Sequence, residues 1–421
     1  MDWLRSESRI GGSILYKGTS LPKIDKFVAL QSLGLELARL KDPGERNAWG
    51  LSLRHPDWGK AYLYCPKKAV APSTDDLVFA YGLAPDEPEE IGRSGMSLLL
   101  AMKPQGGNVL EERKTLMRFG RAVMGDDGLA FYDPGAMRYW TAPALDDELI
   151  HDAALDVESI FCVHAVTADG QTPSWVHTHG LGELGAYDFD IINPSRERVS
   201  GDAIRAIAFS TLEGHVEPGV TDIGLFMGEP GFDAVDAAEF DRVGPPKEVE
   251  VRDTADHTER RVVLCDPPKR RIFGRSGPKA SSVFQKAKDF GPCAFSESAT
   301  DLMADRAAKT FHLVPEIAED LAEFEFPTLV KIGYDTDGGS IEHLWFEYRG
   351  MRNGQIDGEL VNQPFDIASM NQGDRGLHDP GRVSDWQTMN PAGPINPRSL
   401  MGWRAIQANK DKLREMMRGG A

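Results

Sequence analysis

Residues 342–386, EHLWFEYRGMRNGQIDGELVNQPFDIASMNQGDRGLHDPGRVSDW, constrain the fold more than any other part of the chain. Short alternating apolar runs are cut by Arg-Asn-Gly, Asn-Gln-Pro and Asn-Gln-Gly-Asp, and the stretch closes on Ser-Asp-Trp. A period of two buries one face of a strand, and Gly, Pro and Asn supply the turn conformations between strands. The pattern predicts a small, tightly turned β domain.

That domain is a fraction of a 421-residue chain, which is too long for one ordinary core and predicts two or three domains. Hydrophobic content of 41% and charged content of 27% are those of a globular protein. The net charge of −18 repels polyphosphate and anionic lipid, which argues against nucleic-acid and membrane partners and suits a cationic protein partner. Acidic surfaces also serve solubility alone. Cys65, Cys162, Cys265 and Cys293 are widely spaced, with no CxxC, so free thiols in a reducing cytoplasm are expected. The first residues, MDWLRSESRIGGSILYKG, have no apolar core of a signal peptide, and apolar runs such as residues 96–102 are too short to span a bilayer. The expectation is a soluble, cytoplasmic protein.

The pattern along the chain predicts an α+β, multidomain architecture. It comprises a mixed α/β sandwich followed by a small β-rich, barrel-like domain with flanking helices. Residues 1–95 read as an α+β segment with a helix over 27–40, and residues 96–245 as an α/β module. In that module a strand at 96–102 leads into a helix over 109–124, and strands follow at 129–132, 138–140, 161–166 and 175–179. A helix over 199–212 takes Ser200 as N-cap, and a strand approach follows at 219–226. Residues 246–280 form a Pro-rich junction carrying the basic run KRRIFGRSGPK at 269–279, which reads as a solvated linker, with a further strand at 262–265. Helices over 281–290 and 298–324 lead into the β domain at 281–395. Residues 396–421 carry an amphipathic closing helix over 400–417 with cations in its last turns.

Several residues of the β domain stand in a recognisable order. His343-Leu344-Trp345-Phe346, GELVNQP at 358–364, Gly373-Asp374 and VSDW at 383–386 resemble the YegJ-type domain of unknown function over residues 307–391. Val383 stands where that pattern usually has isoleucine, and LHDPG at 377–381 departs from its turn. Residues 96–193 resemble an uncharacterised bacterial α/β module found with such domains. Neither resemblance implies a catalytic residue. Trp345 and Trp386 read as core aromatics and Asn362 as a turn residue whose side chain bonds the backbone. Asp385 is within reach of a backbone amide or His343. The alternative is that His343, Trp345, Asn362, Asp385 and Trp386 line a binding surface.

One segment could carry chemistry. In SWVHTHGLGELGAYDFDII at 174–192, Trp175, His177 and His179 share a strand face, as do Asp188 and Asp190. If the Gly-rich segment folds the chain back, the register that sets His179 against Asp188 also sets His177 against Asp190. Opposed Cβ atoms then lie about 5 Å apart, close enough for a divalent metal such as zinc. Cross-strand hydrogen-bonded pairs are the simpler alternative. His164 and His215 could add ligands, and Cys162 shares a strand face with His164, but the sequence does not place them. GLGELG at 180–185 matches GxGxxG, yet the alternating residues after it make a strand rather than the helix that a dinucleotide requires. DTDGG at 335–339 suits a hairpin turn better than a calcium loop, since the closing acidic ligand is missing.

The leading expectation is a non-catalytic binding protein, immunity- or adaptor-like, that uses no cofactor and recognises a protein through its acidic surface. The alternative is a metal-dependent hydrolase centred on His177, His179, Asp188 and Asp190, in which the metal activates water.

Overall fold

Strands β1 (Ile10–Tyr16), β2 (Glu36–Arg39), β3 (Asn47–His55), β4 (Gly59–Pro66), β5 (Met96–Met102), β6 (Gly128–Asp133) and β7 (Arg138–Trp140) form one antiparallel sheet in the order β2-β3-β4-β5-β1-β6-β7. β1 lies inside the sheet between β5 and β6, with Ile10, Ile14 and Leu15 buried. The helix Val109–Met124 packs on this sheet. Asn108 caps it by accepting from the Glu111 amide at 2.9 Å. Phe131 fills the space between sheet and helix, where Gly12 and Gly120 leave room. A Cβ on Gly12 would lie 2.5 Å from the Phe131 ring. Arg113 and Asp133 are buried as an ion pair at 3.1 Å beside this core.

The computed structural model describes residues 3–4, 10–17, 22–68, 87–167, 172–220, 223–226, 228–252, 260–268, 277–286 and 293–419. Most of the basic run expected at 269–279 lies outside them. The chain divides into two compact units: Met1–Ala142 with Val157–Ser296, and Pro143–Asp156 with Glu297–Ala421. No helix among the described residues is long and apolar enough to cross a membrane.

The first unit holds a second sheet, built from β8 (Cys162–Thr167), β9 (Pro173–His179), β10 (Asp188–Ile192), β11 (Asp233–Asp236) and β12 (Arg261–Cys265) in the order β11-β12-β10-β9-β8. β10 and β12 run parallel and the other neighbours antiparallel. β9 and β10 are buried almost throughout. On one face Ile192, Val263 and Cys265 pack with Phe240 of the helix Ala237–Val243. The helix Gly201–Leu212 starts at Ser200, whose hydroxyl accepts from the Ala203 amide at 3.2 Å.

The second unit carries β13 (Thr328–Asp335), β14 (Ile341–Arg352), β15 (Gln355–Leu360), β16 (Arg375–His378) and β17 (Val383–Thr388) in the order β16-β15-β14-β13-β17. All neighbours are antiparallel, and the turns fall at the breaks the sequence marks. This sheet is open, which corrects the barrel-like expectation. β16 and β17 stand at its two edges instead of pairing. Val330, Ile332, Leu344, Phe346 and Trp386 form its core face against Ala307, Phe311, Ile317, Trp403 and Ile406 of the helical segments. The fold is therefore α+β, with three sheets among the described residues.

Five local expectations differ from the structure. The helix expected over 281–290 is the single turn Ser282–Gln285, after which Lys286 is extended, and residues 287–290 lie outside the described ones. A 3-10 helix ends at Leu33 because Gly34 turns left-handed at φ 82°, and residues 36–39 pair with β3 instead of extending a helix over 27–40. The helix expected over 298–324 breaks into Glu297–Thr310 and Val314–Leu321, because Pro315 has no amide proton to continue it. The closing helix breaks at Asn409 into Met401–Ala408 and Lys410–Gly419. At 219–226, Ile223 and Phe226 make only isolated bridges.

Segment 143–156 lies between strands of the first unit in sequence, yet belongs to the second unit. Arg306 explains this. Its buried guanidinium donates to the carbonyls of Asp147, Glu148, Ala154 and Pro397 at 2.8–3.0 Å and to both Glu148 carboxylate oxygens. Arg404 holds Asp147 through two bonds of 2.6 Å. Removing one side of such a buried pair leaves a charge and several carbonyls unpaired, which costs about 3–5 kcal/mol. Arg306→Ala is therefore expected to strip hydrogen-exchange protection from residues 149–156. Arg306→Lys should not restore it, because an ammonium cannot reproduce the fork. Unchanged protection in Arg306→Ala would contradict this account.

Candidate functional site

The five-stranded sheet of the first unit sets its polar side chains in rows. β10 pairs with β9 so that His177 faces Asp190, the register anticipated from sequence. β9 pairs with β8 so that His177 also faces His164 and His179 faces Cys162. Directly opposed residues share a sheet face. One row thus runs His164, His177, Asp190, and the next brings Cys162 beside His179.

The imidazoles and the carboxylates then part company. Asp190 is fully buried, and its carboxylate lies between Arg252, at 2.7 Å, and Arg261. Arg261 also donates to the Thr178 carbonyl at 3.0 Å, and Arg252 reaches Asp241. Asp188 accepts from the amides of Gly182 at 2.9 Å and Leu181 at 3.3 Å. It thereby ties down the Gly-rich turn, which forms one 3-10 turn, Gly182–Leu184, between two strands and opens no helix. The four residues His177, His179, Asp188 and Asp190 lie on one face without converging on one point.

The histidines do converge, with His164 as the third member. One ligating atom from each of His164, His177 and His179 lies within 4.8 Å of the other two. Ring centroids are 4.7 Å apart for His164–His179, 4.9 Å for His177–His179 and 5.2 Å for His164–His177. Trp175 stacks on His177 at 3.8 Å and fixes that ring. Cys162 Sγ lies 3.6 Å from His164 Nε2, and burial foremost, with Asp188 nearby, pushes the thiol up to about 12. Sequence reasoning noted His164 but could not place it. The signal available was that Cys162 and His164 have the same two-residue spacing as His177 and His179.

In the second unit, His343 lies opposite Gly333, while Trp345 and Asp385 flank Lys331 from its two sides. These three residues share the sheet face turned away from the core. Burial foremost, then Lys331 and Arg382, holds the His343 pKa below its ordinary value, and its Nδ1 meets Ser384 Oγ at 2.7 Å. Asn362 Oδ1 accepts from the Trp345 amide at 2.8 Å, and Asp385 Oδ1 from the Trp386 amide at 2.8 Å. Trp386 does not join them. It is fully buried on the opposite face and donates to Thr310 Oγ1 at 2.9 Å.

A surface feature that sequence reasoning missed lies at one end of this sheet. Glu342 accepts from the amides of Phe365 and Asp366 at 2.8 and 3.0 Å, one carboxylate oxygen each. The loop after Pro364 is thus held with Phe365 outward, 90% exposed, near Ile341, which is 58% exposed. Asp335 lies opposite Ile341, and the Asp337 amide points to the Asp366 carbonyl, so carboxylates surround this tip. Arg382 pairs with Asp335 at 2.9 Å.

Residues 303–413 match the profile of the family described as "Uncharacterized protein conserved in bacteria (DUF2314)". This part of the chain is a domain of unknown function, and nothing names the region before it. No curated protein and no solved structure matches the chain.

Asp188 generates a prediction. Burial raises its carboxyl from 3.8 to about 6, against the Gly182 and Leu181 amides, Arg261 and Thr178, which favour the charged form. Between those values the native state binds more protons than the unfolded state. Its contribution is full at low pH and is lost as pH rises from about 4 to about 6. Asp188→Asn keeps an acceptor for the amides and removes the titration. The stability difference between wild type and variant should change by on the order of 2–3 kcal/mol between pH 4 and 6.5, measured by urea denaturation. Parallel pH profiles would contradict the assignment.

Proposed function

We propose that the chain is a non-catalytic binding protein, immunity- or adaptor-like, that recognises a cationic protein partner through an acidic surface of its C-terminal domain. In this reading the DUF2314 match is a YegJ-like domain, and the module before it is the bacterial α/β module found with such domains. A cytoplasmic setting is part of the proposal, and free, mostly buried cysteines are consistent with it.

The observation that carries the reading is Phe365. An aromatic side chain 90% exposed on a loop tied by two charge-assisted hydrogen bonds loses little entropy when it enters a partner's pocket. Exposed aromatics so presented are frequent binding anchors. Asp337 and Asp366 beside it favour a basic rim on the partner, while Asp335 is balanced by Arg382. His343, Trp345 and Asp385, on the outer face of the same sheet, extend the surface. The hydrolase reading loses ground because Asp188 and Asp190 are engaged by backbone amides and arginines.

Phe365→Asp tests the proposal. Its unfolding free energy should stay within about 0.5 kcal/mol of wild type, because the side chain packs against little. Immobilised wild-type chain should retain a basic protein from the source-cell lysate in stoichiometric amount, with retention falling as salt rises. The variant should lose it at least about 30-fold, the factor expected for an anchor worth 2 kcal/mol. A lysate yielding no stoichiometric partner, or one retained equally by the variant, would refute the proposal.

A further inference from the structure

We propose that His164, His177 and His179 form a binding site for a divalent transition-metal ion, held by three imidazole nitrogens with a fourth position left for water. The site is independent of the recognition surface proposed above and differs from the two-histidine, two-carboxylate set read from the sequence.

The geometry is that of a facial cluster. His177 and His179 stand two residues apart on one strand, and His164 is the cross-strand neighbour of His177. This places the three nitrogens at the corners of a triangle with no side longer than 4.8 Å. Tetrahedral zinc with bonds of about 2.0–2.1 Å sets its nitrogens about 3.3 Å apart, so the rings must draw in by no more than about 1.5 Å. His164, the least buried of the three, is the ring best able to rotate inward, while the stack on Trp175 keeps His177 in place.

The surroundings fix the donor type. The helix Ala237–Val243 covers the other half of this sheet face, where Phe240 packs on Ile192 and Val263. The carboxylates between the two halves are already engaged, Asp190 by Arg252 and Arg261 and Asp188 by two amides. The three imidazoles remain, with the Cys162 thiol beside them, and such nitrogen and sulfur donors suit zinc, cobalt, nickel or copper and disfavour magnesium and calcium. β8 is the edge strand of the sheet, and its residues after His164 are exposed, so the ion and its water are reached from that side.

Calorimetric titration of the untagged, chelator-stripped full chain with zinc chloride tests the proposal. One equivalent should bind, and the melting temperature should rise with zinc, because the ion binds the folded state preferentially. Cobalt(II) should give the intense visible absorption of a tetrahedral site. His164→Ala, chosen because its side chain is the least buried of the three, should weaken zinc at least about 100-fold, more than loss of an outer-sphere partner does. It should also abolish the melting shift. His312→Ala, in the other unit, should leave both unchanged. Absence of stoichiometric zinc binding, wild-type affinity in His164→Ala, or an equivalent magnesium response would each overturn it.

Discussion

The carboxylate of Asp190, buried between two arginines, decides what the first unit can be. Three central strands depend on it. Asp190 belongs to β10, Arg261 comes from β12 and also holds the Thr178 carbonyl of β9, and Arg252 follows the helices that cover the face. A charge in that position is tolerable only because both oxygens are paired, and loss of the carboxylate would leave two guanidiniums buried. The network fixes the register that sets His177 against Asp190. It also withdraws the acidic group from any role as a metal ligand, leaving an imidazole cluster on the remaining half of the face.

The second unit rests on an analogous device. Arg306 gathers four carbonyls and a carboxylate, and so holds segment 143–156 beside a sheet that begins almost two hundred residues later. With the core face closed by helices, the opposite face keeps His343, Trp345 and Asp385 partly accessible, and the Glu342 carboxylate holds Phe365 outward at the sheet end. The chain thus presents two separate chemical opportunities, an imidazole cluster in one unit and an acid-rimmed aromatic in the other.

Much of this was legible in the residues. The strand Met96–Met102, the helix Val109–Met124, the cap at Ser200 and the β13–β14 hairpin follow from local periodicity and turn chemistry, because their determinants lie within a few residues. The β9–β10 register was legible because one alignment satisfied two His–Asp pairs at once. What stayed hidden depends on contacts distant in sequence. Arg261 and Arg252 lie 71 and 62 residues from Asp190, and Arg306 lies 158 from Glu148, so nothing local marks them as partners. His164 needed the β8–β9 register, and although Asp169-Gly170 marks a turn between the strands, the residues flanking it leave more than one alignment open. Phe365 was missed because an aromatic in a turn reads equally well as core or surface until Glu342 is seen to hold the backbone.

The central claim is that the imidazoles, and not the carboxylates, make the metal-binding site of the first unit. A crystal structure of the full chain grown with zinc, with anomalous data at the zinc edge, tests this most directly. It predicts one anomalous peak within bonding distance of nitrogens of His164, His177 and His179, with Asp190 still between Arg252 and Arg261. No peak there, or a zinc ion bound to Asp188 or Asp190, would contradict it.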